Sequence, residues 1–77
     1  MNAKYDSRLS PMTRLIYNNL LSRTCHGSRP TKIEDNELAL LFNLTDRSVS
    51  RSINLLCKYG YLRKVKLLNK RLLYIDF

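Results

Sequence analysis

Thr45-Asp46-Arg47-Ser48-Val49-Ser50-Arg51-Ser52-Ile53-Asn54-Leu55-Leu56-Cys57-Lys58-Tyr59-Gly60-Tyr61-Leu62 carries two chemistries at helical spacing. Val49, Ile53, Leu56 and Cys57 recur at steps of three and four, while Arg47, Ser50, Arg51, Asn54 and Lys58 fall on the opposite side. One face seeks a core and the other is basic. Thr45 is a good N-cap, because its hydroxyl accepts from a free backbone N–H of the first turn, and Asp46 places negative charge at the positive end of the helix dipole. Gly60 suits the left-handed residue that stops a helix, and Lys58 favours the negative end. The spacing predicts a helix from about Asp46 to Tyr59. Its outward side chains are of the kinds that reach phosphates and base edges: Arg for guanine, Asn for adenine, Ser for either.

The residues upstream supply a partner for this helix. Glu34 or Asp35 caps a short helix whose apolar residues are Leu38, Ala39, Leu41 and Phe42, ending near Asn43, which tolerates the left-handed conformation. Small Ala39 sits where two crossing helices come closest, and Leu38, Phe42, Leu44 and Val49 supply buried contacts. Ser52 stands where an apolar residue is common, so Ile53 is expected to take its place in the core.

Farther back, Ser10-Pro11 opens another helix, with Ser as N-cap and Pro at the first helical position. Met12, Leu15, Ile16, Asn19, Leu20 and Leu21 mark its inward face through about Arg23. Residues 1–9 show no periodicity and are expected to form a flexible arm, with the domain spanning 10–77. Between the first two helices, Gly27, Ser28 and Pro30 mark a loop, followed by a very short strand at Lys32 and Ile33.

After Gly60 the period changes from helical to alternating. Residues 61–68 and 71–75 read as two strands around a tight turn centred on Asn69-Lys70, a register that pairs Leu67 with Leu72 and Val65 with Tyr74. Lys66, Lys70 and Arg71 gather toward the tip of this hairpin.

Seventy-seven residues make one small domain with no room for a second core. The net charge is +8, and it is unevenly placed. From Arg47 onward there are eight basic residues and one acid, Asp76, whereas the first 46 residues carry six basic and five acidic. Such asymmetry points to an anionic partner for the C-terminal half. Two cysteines, one histidine and no Cys-x-x-Cys pair cannot close a four-ligand zinc site within one chain. Cys57 reads as core, and a disulfide to Cys25 is open in principle, although with no signal peptide a reduced pair is expected. No apolar run approaches the roughly 20 residues that span a bilayer, so no membrane association and a cytoplasmic location are expected. No nucleophile, base and orienting acid stand at recognisable spacing, and His26 lies in the Gly-containing loop. Neither catalysis nor a cofactor or metal is expected.

Leu9-Ser10-Pro11, the acidic start Asp35 with Glu37-Leu38-Ala39, the Thr45-capped helix through Leu56, and Gly60-Tyr61-Leu62 together resemble a winged helix-turn-helix domain over about Leu9 to Ile75. The likeness is to the modules of phage and plasmid regulators and replication proteins, though the hairpin lacks the glycines often seen at wing tips. It implies an α+β fold of three helices with a C-terminal β-hairpin wing. It also implies binding of double-stranded DNA, with the third helix in the major groove and the basic wing on the neighbouring backbone.

On that reading Arg47, Ser48 and Arg51 are the expected base contacts, because the first turns of a recognition helix reach deepest. Thr45, Ser50, Asn54 and Lys58 are expected on base or backbone, Lys66, Lys70 and Arg71 on phosphate, and Lys32 and Arg29 as weaker phosphate contacts. A small transcriptional regulator is the leading expectation. A replication or recombination accessory factor at origin or attachment DNA is the alternative within the class, and a module docking on an acidic protein is the alternative outside it. One recognition helix buries a modest surface, so a homodimer or partner protein is left open, with Tyr17, Leu21 and the arm as the available contact.

Overall fold

Each helix begins and ends for a local reason. The structure, a computed structural model, describes residues 6–76, in the order α1 (Pro11–Arg23), α2 (Asp35–Phe42), α3 (Asp46–Lys58), β1 (Leu62–Leu67) and β2 (Lys70–Ile75). Ser10 Oγ accepts from the Thr13 N–H at 3.1 Å, and Thr45 Oγ1 from the Ser48 N–H at 3.1 Å, so α1 and α3 carry hydroxyl caps. At the start of α2 the Glu37 carboxylate instead accepts the Glu34 N–H at 3.2 Å. All three helices stop by the same device, in which the residue past a left-handed position returns its N–H to a carbonyl five residues back. The bonds are His26 to Leu21 at 2.8 Å, Leu44 to Ala39 at 2.8 Å and Tyr61 to Leu56 at 2.9 Å. The left-handed residues are Cys25, Asn43 and Gly60, with φ of 50°, 55° and 82°.

The three helices and the hairpin form an α+β domain with the layout of a winged helix. Ile16, Tyr17 and Leu20 of α1, Leu38 and Ala39 of α2, and Val49, Ile53 and Leu56 of α3 meet Leu62, Leu73 and Ile75 of the hairpin in one core. Burial of these side chains is the main force holding the elements together. The inward face of α1 differs from the expectation. Leu15 is 50 % exposed, while Thr13 and Tyr17 are buried. The Tyr17 ring packs edge-on against Tyr61 at 5.8 Å, which removes it as a dimer contact. Leu41 on α2 is likewise exposed rather than core.

Ser52 is buried, and its hydroxyl lies 2.9 Å from Thr13 Oγ1, which lies 2.9 Å from Ser10 Oγ. A hydroxyl therefore occupies the position where an apolar residue was expected, because α1 offers it a polar partner there. Ile53 enters the core as expected, and Ser52 is buried beside it.

The hairpin register also departs from the expected one. Leu62 pairs with Ile75, Val65 with Leu72 and Leu67 with Lys70, so the turn is Leu68-Asn69. Three tertiary anchors set this register: Leu62 and Ile75 enter the core together, Asp76 donates its N–H to the Tyr61 carbonyl at 2.9 Å, and Leu73 is bridged by Thr31 from the other side. The bridge stands at Thr31, in place of the short strand expected at Lys32 and Ile33. Packing thus overrides the turn preference of Asn69, and Leu68 takes the left-handed position at φ 57°.

The part of the expected arm within the described residues belongs to the domain. Leu9 is in the core, and the buried Asp6 carboxylate accepts from Tyr61 Oη at 2.7 Å and from Arg8 Nη2 at 2.6 Å. Arg8 in turn lies over the Tyr59 ring at 4.0 Å, so this segment clasps the junction between α3 and the wing. Residues 1–5, with Lys4, lie outside the described residues.

Candidate nucleic-acid interface

Burial of Val49, Ser52, Ile53 and Leu56 turns the other side of α3 outward. Arg47, Ser48, Arg51, Asn54 and Lys58 are exposed there and Ser50 is half-buried. Arg47, Ser50, Arg51, Asn54, Leu55 and Lys58 line one open depression of about 450 Å³. Cys57, expected in the core, is half-buried at its edge, and burial pushes its thiol pKa up, which keeps it protonated. Both cysteines are free.

Two salt bridges occur among the described residues, Arg8–Asp6 and Arg71–Asp35. Arg47, Arg51 and Lys58 on α3, and Lys66 and Lys70 on the wing, therefore have no carboxylate partner there. Their charge is directed to solvent, the condition for attracting a polyanion. Thr45 is engaged in the cap, and its hydroxyl also donates to Ser48 Oγ at 3.0 Å. That contact orients Ser48 while leaving its own proton free to donate.

The wing residues divide between two roles. Lys66 and Lys70 are exposed, and with Glu34, Lys64, Asn69 and Arg71 they line a depression of about 420 Å³. Arg71, expected on phosphate, is half-buried, with Nη1 donating to Asp35 Oδ1 at 2.6 Å and Nη2 to the Ile33 carbonyl at 2.8 Å. Its guanidinium ties β2 to the start of α2 and is partly neutralised by Asp35, which leaves it less available to a phosphate than Lys66 or Lys70. Lys32 is exposed at the tip of the wing beside Leu67 and Leu72, away from the residues of the α3 depression. Arg29 is exposed in the loop after α1.

Lys64 joins the site unannounced. Its ammonium donates to Asn54 Oδ1 at 2.7 Å, joining the wing to the outward face of α3. The signal was present in the period of two, since Lys64 and Lys66 share a strand face. With one lone pair of its oxygen taken by Lys64, Asn54 keeps two amide protons and a second acceptor position, so it can still meet a phosphate or a base edge while the bond limits how its amide turns. Arg63, on the other strand face, lies over the Tyr74 ring at 4.9 Å. Tyr59 and Tyr61 pack at the junction of α3 and the hairpin, whereas Tyr74, expected there too, is half-buried on the opposite strand face beneath Arg63.

No helix among the described residues is long and apolar enough to cross a membrane. A scan of protein-family models and searches of characterised proteins and of solved structures find no match to this chain.

Proposed function

We propose that this protein is a sequence-selective binder of double-stranded DNA, acting as a small regulator of the phage or plasmid type. Helix α3 enters the major groove and the wing lies on the adjoining backbone. The observation that carries the reading is the division of α3 into two faces. Val49, Ser52, Ile53 and Leu56 are wholly engaged in the fold, which leaves Arg47, Ser48, Arg51, Asn54 and Lys58 with no packing role and no carboxylate partner among the described residues. In this pose Arg47 and Arg51 read base edges, Lys58 and Lys66 neutralise phosphates, and Asn54, held by Lys64, donates to an acceptor. A role in transcription and one at origin or attachment DNA use the same chemistry. A single module of this kind covers roughly 600–1,000 Å² of its own surface, so full affinity at a site needs a second copy or a partner.

The test is a fluorescence-anisotropy titration of mixed-sequence duplex at two salt concentrations, with Arg47→Ala/Arg51→Ala beside the wild type. Binding should fall steeply with salt, with a slope of about 0.9 per phosphate neutralised, and the double variant should bind more weakly. Absence of wild-type binding at low salt excludes the reading. An acidic protein partner would then be the better candidate for the α3 face.

A further inference from the structure

The extremity of the wing is apolar although its flanks are basic. Leu67 is 60 % exposed and Leu68 91 % exposed, and Leu68 holds the left-handed φ of 57° that Asn or Gly adopts more cheaply. The chain therefore keeps a leucine at a strained position where no burial within the domain repays it. Lys66 and Lys70 stand on either side of the turn. Behind it Leu67, Leu68 and Leu72, with Lys32 and Lys70, line an apolar depression of about 370 Å³.

The occupant follows from shape and charge. A second copy would oppose Lys32, Lys66 and Lys70 to their own equivalents, which like charges disfavour. A two-residue turn is convex and narrow, so it buries little area on a flat partner but fits a groove. Apolar at the point and cationic at the sides, it complements a polyanion with an apolar interior. The minor groove of duplex DNA, about 6 Å wide, is such a surface.

We propose that Leu68 is a wedge that enters the minor groove and inserts between two base pairs, unstacking them and bending the duplex. The proposal rests on the duplex-binding reading above. The 2.7 Å bond from Lys64 to Asn54 fixes the root of the wing beside α3. Four residues farther along the strand, Leu68 lies about 13 Å away at ~3.3 Å per residue. That approaches the roughly 17 Å half-turn between a major groove and the next minor groove. Lys66 and Lys70 then meet phosphates on the two sides of the groove, and Leu67 and Leu72 pack on deoxyribose. Insertion favours flexible pyrimidine–purine steps, so sequence preference arises at positions α3 never touches.

The experiment is ligase-mediated ring closure of a mixed-sequence duplex shorter than the ~150-base-pair persistence length, with the full chain, Leu68→Asn and Leu68→Gly. Both replacements suit the left-handed turn and preserve the hairpin. The wild type should raise ring yield severalfold, and both variants should lose that gain while keeping the salt slope of duplex binding, because no phosphate contact is removed. Wild-type binding without ring closure, or ring closure undiminished in the variants, overturns the wedge and leaves duplex binding standing. No wild-type binding at low salt overturns both. Sedimentation with phosphatidylserine vesicles that Leu68→Asn abolishes, with ring closure unaffected, assigns the tip to a membrane surface and also overturns the wedge.

Discussion

The Lys64 ammonium donates a 2.7 Å hydrogen bond to Asn54 Oδ1, across ten residues of sequence. The bond orients the Asn54 amide. Lys64→Ala removes that tether, and the Asn54 amide can then turn to either face. Selection from a random duplex pool should therefore show a weaker or altered base preference at the position Asn54 faces with Lys64→Ala than with the wild type. Identical selected sequences from the two proteins would exclude this role for Lys64.

Arg71 and the two wing lysines should separate cleanly. Arg71→Ala leaves Asp35 and the Ile33 carbonyl without their donors, at a cost of about 1–3 kcal/mol in stability, and leaves the salt dependence of duplex binding unchanged. Lys66→Ala or Lys70→Ala should do the reverse, reducing the salt slope by about 1 each with stability held within ~0.5 kcal/mol. Denaturant titration and anisotropy on the same three variants measure both quantities. A flattened salt slope in Arg71→Ala would return that residue to the interface.

The buried hydroxyls of Thr13 and Ser52 are coupled at 2.9 Å. Thr13→Val strands Ser52 and Ser52→Ala removes one of the Thr13 partners, with a cost of about 1–3 kcal/mol for a stranded buried group. The double variant should cost less than the sum by at least about 0.5 kcal/mol. Strict additivity in chemical denaturation would mean that the two hydroxyls do not stabilise one another.

Acid should loosen the clasp at the N-terminal end of the domain. The Arg8 guanidinium, aided by the Tyr61 hydroxyl and the Arg8 N–H, holds the Asp6 carboxyl well below the usual carboxylate range. The unfolded chain, with an Asp pKa of about 3.9, then binds more protons in the acid window. The stabilisation is complete above that value and is lost as pH falls below it. Tyr61 shows the opposite sign: its hydrogen bond to Asp6, reinforced by burial, raises its pKa. Its contribution is complete below about pH 10 and is lost as pH rises further. Asp6→Asn should lower Tm at neutral pH and lose less on acidification than the wild type does. Parallel Tm–pH curves for the two proteins would contradict the assignment.

Asn43 makes the turn between α2 and α3 at φ 55°. Asn43→Ala should cost about 1 kcal/mol and Asn43→Gly close to nothing, because glycine enters the left-handed region without a Cβ penalty. Calorimetry of both variants checks this. Equal losses would show that the Asn side chain, and not the backbone angle, is what the turn requires.

The ends of the helices and the existence of the wing were legible in residues a few positions apart. Ser10-Pro11, Asn43, Thr45 and Gly60 act through bonds to their own neighbours, and such signals survive without any knowledge of the fold. The two faces of α3 were legible for the same reason, since one periodicity sorts Arg47, Arg51 and Lys58 from Val49, Ile53 and Leu56. The burial of Tyr17 in place of Leu15, the hydroxyl pairing of Ser52, the anchoring of Asp6, the turn at Leu68 and the engagement of Arg71 were not. Each depends on a partner 36 to 55 residues away or on the packing of a whole element, and local patterns carry no information about which distant group will arrive. Local chemistry therefore defined the pieces and the exposed basic face, while long-range packing and hydrogen bonding set the hairpin register and tied Arg71 to the start of α2.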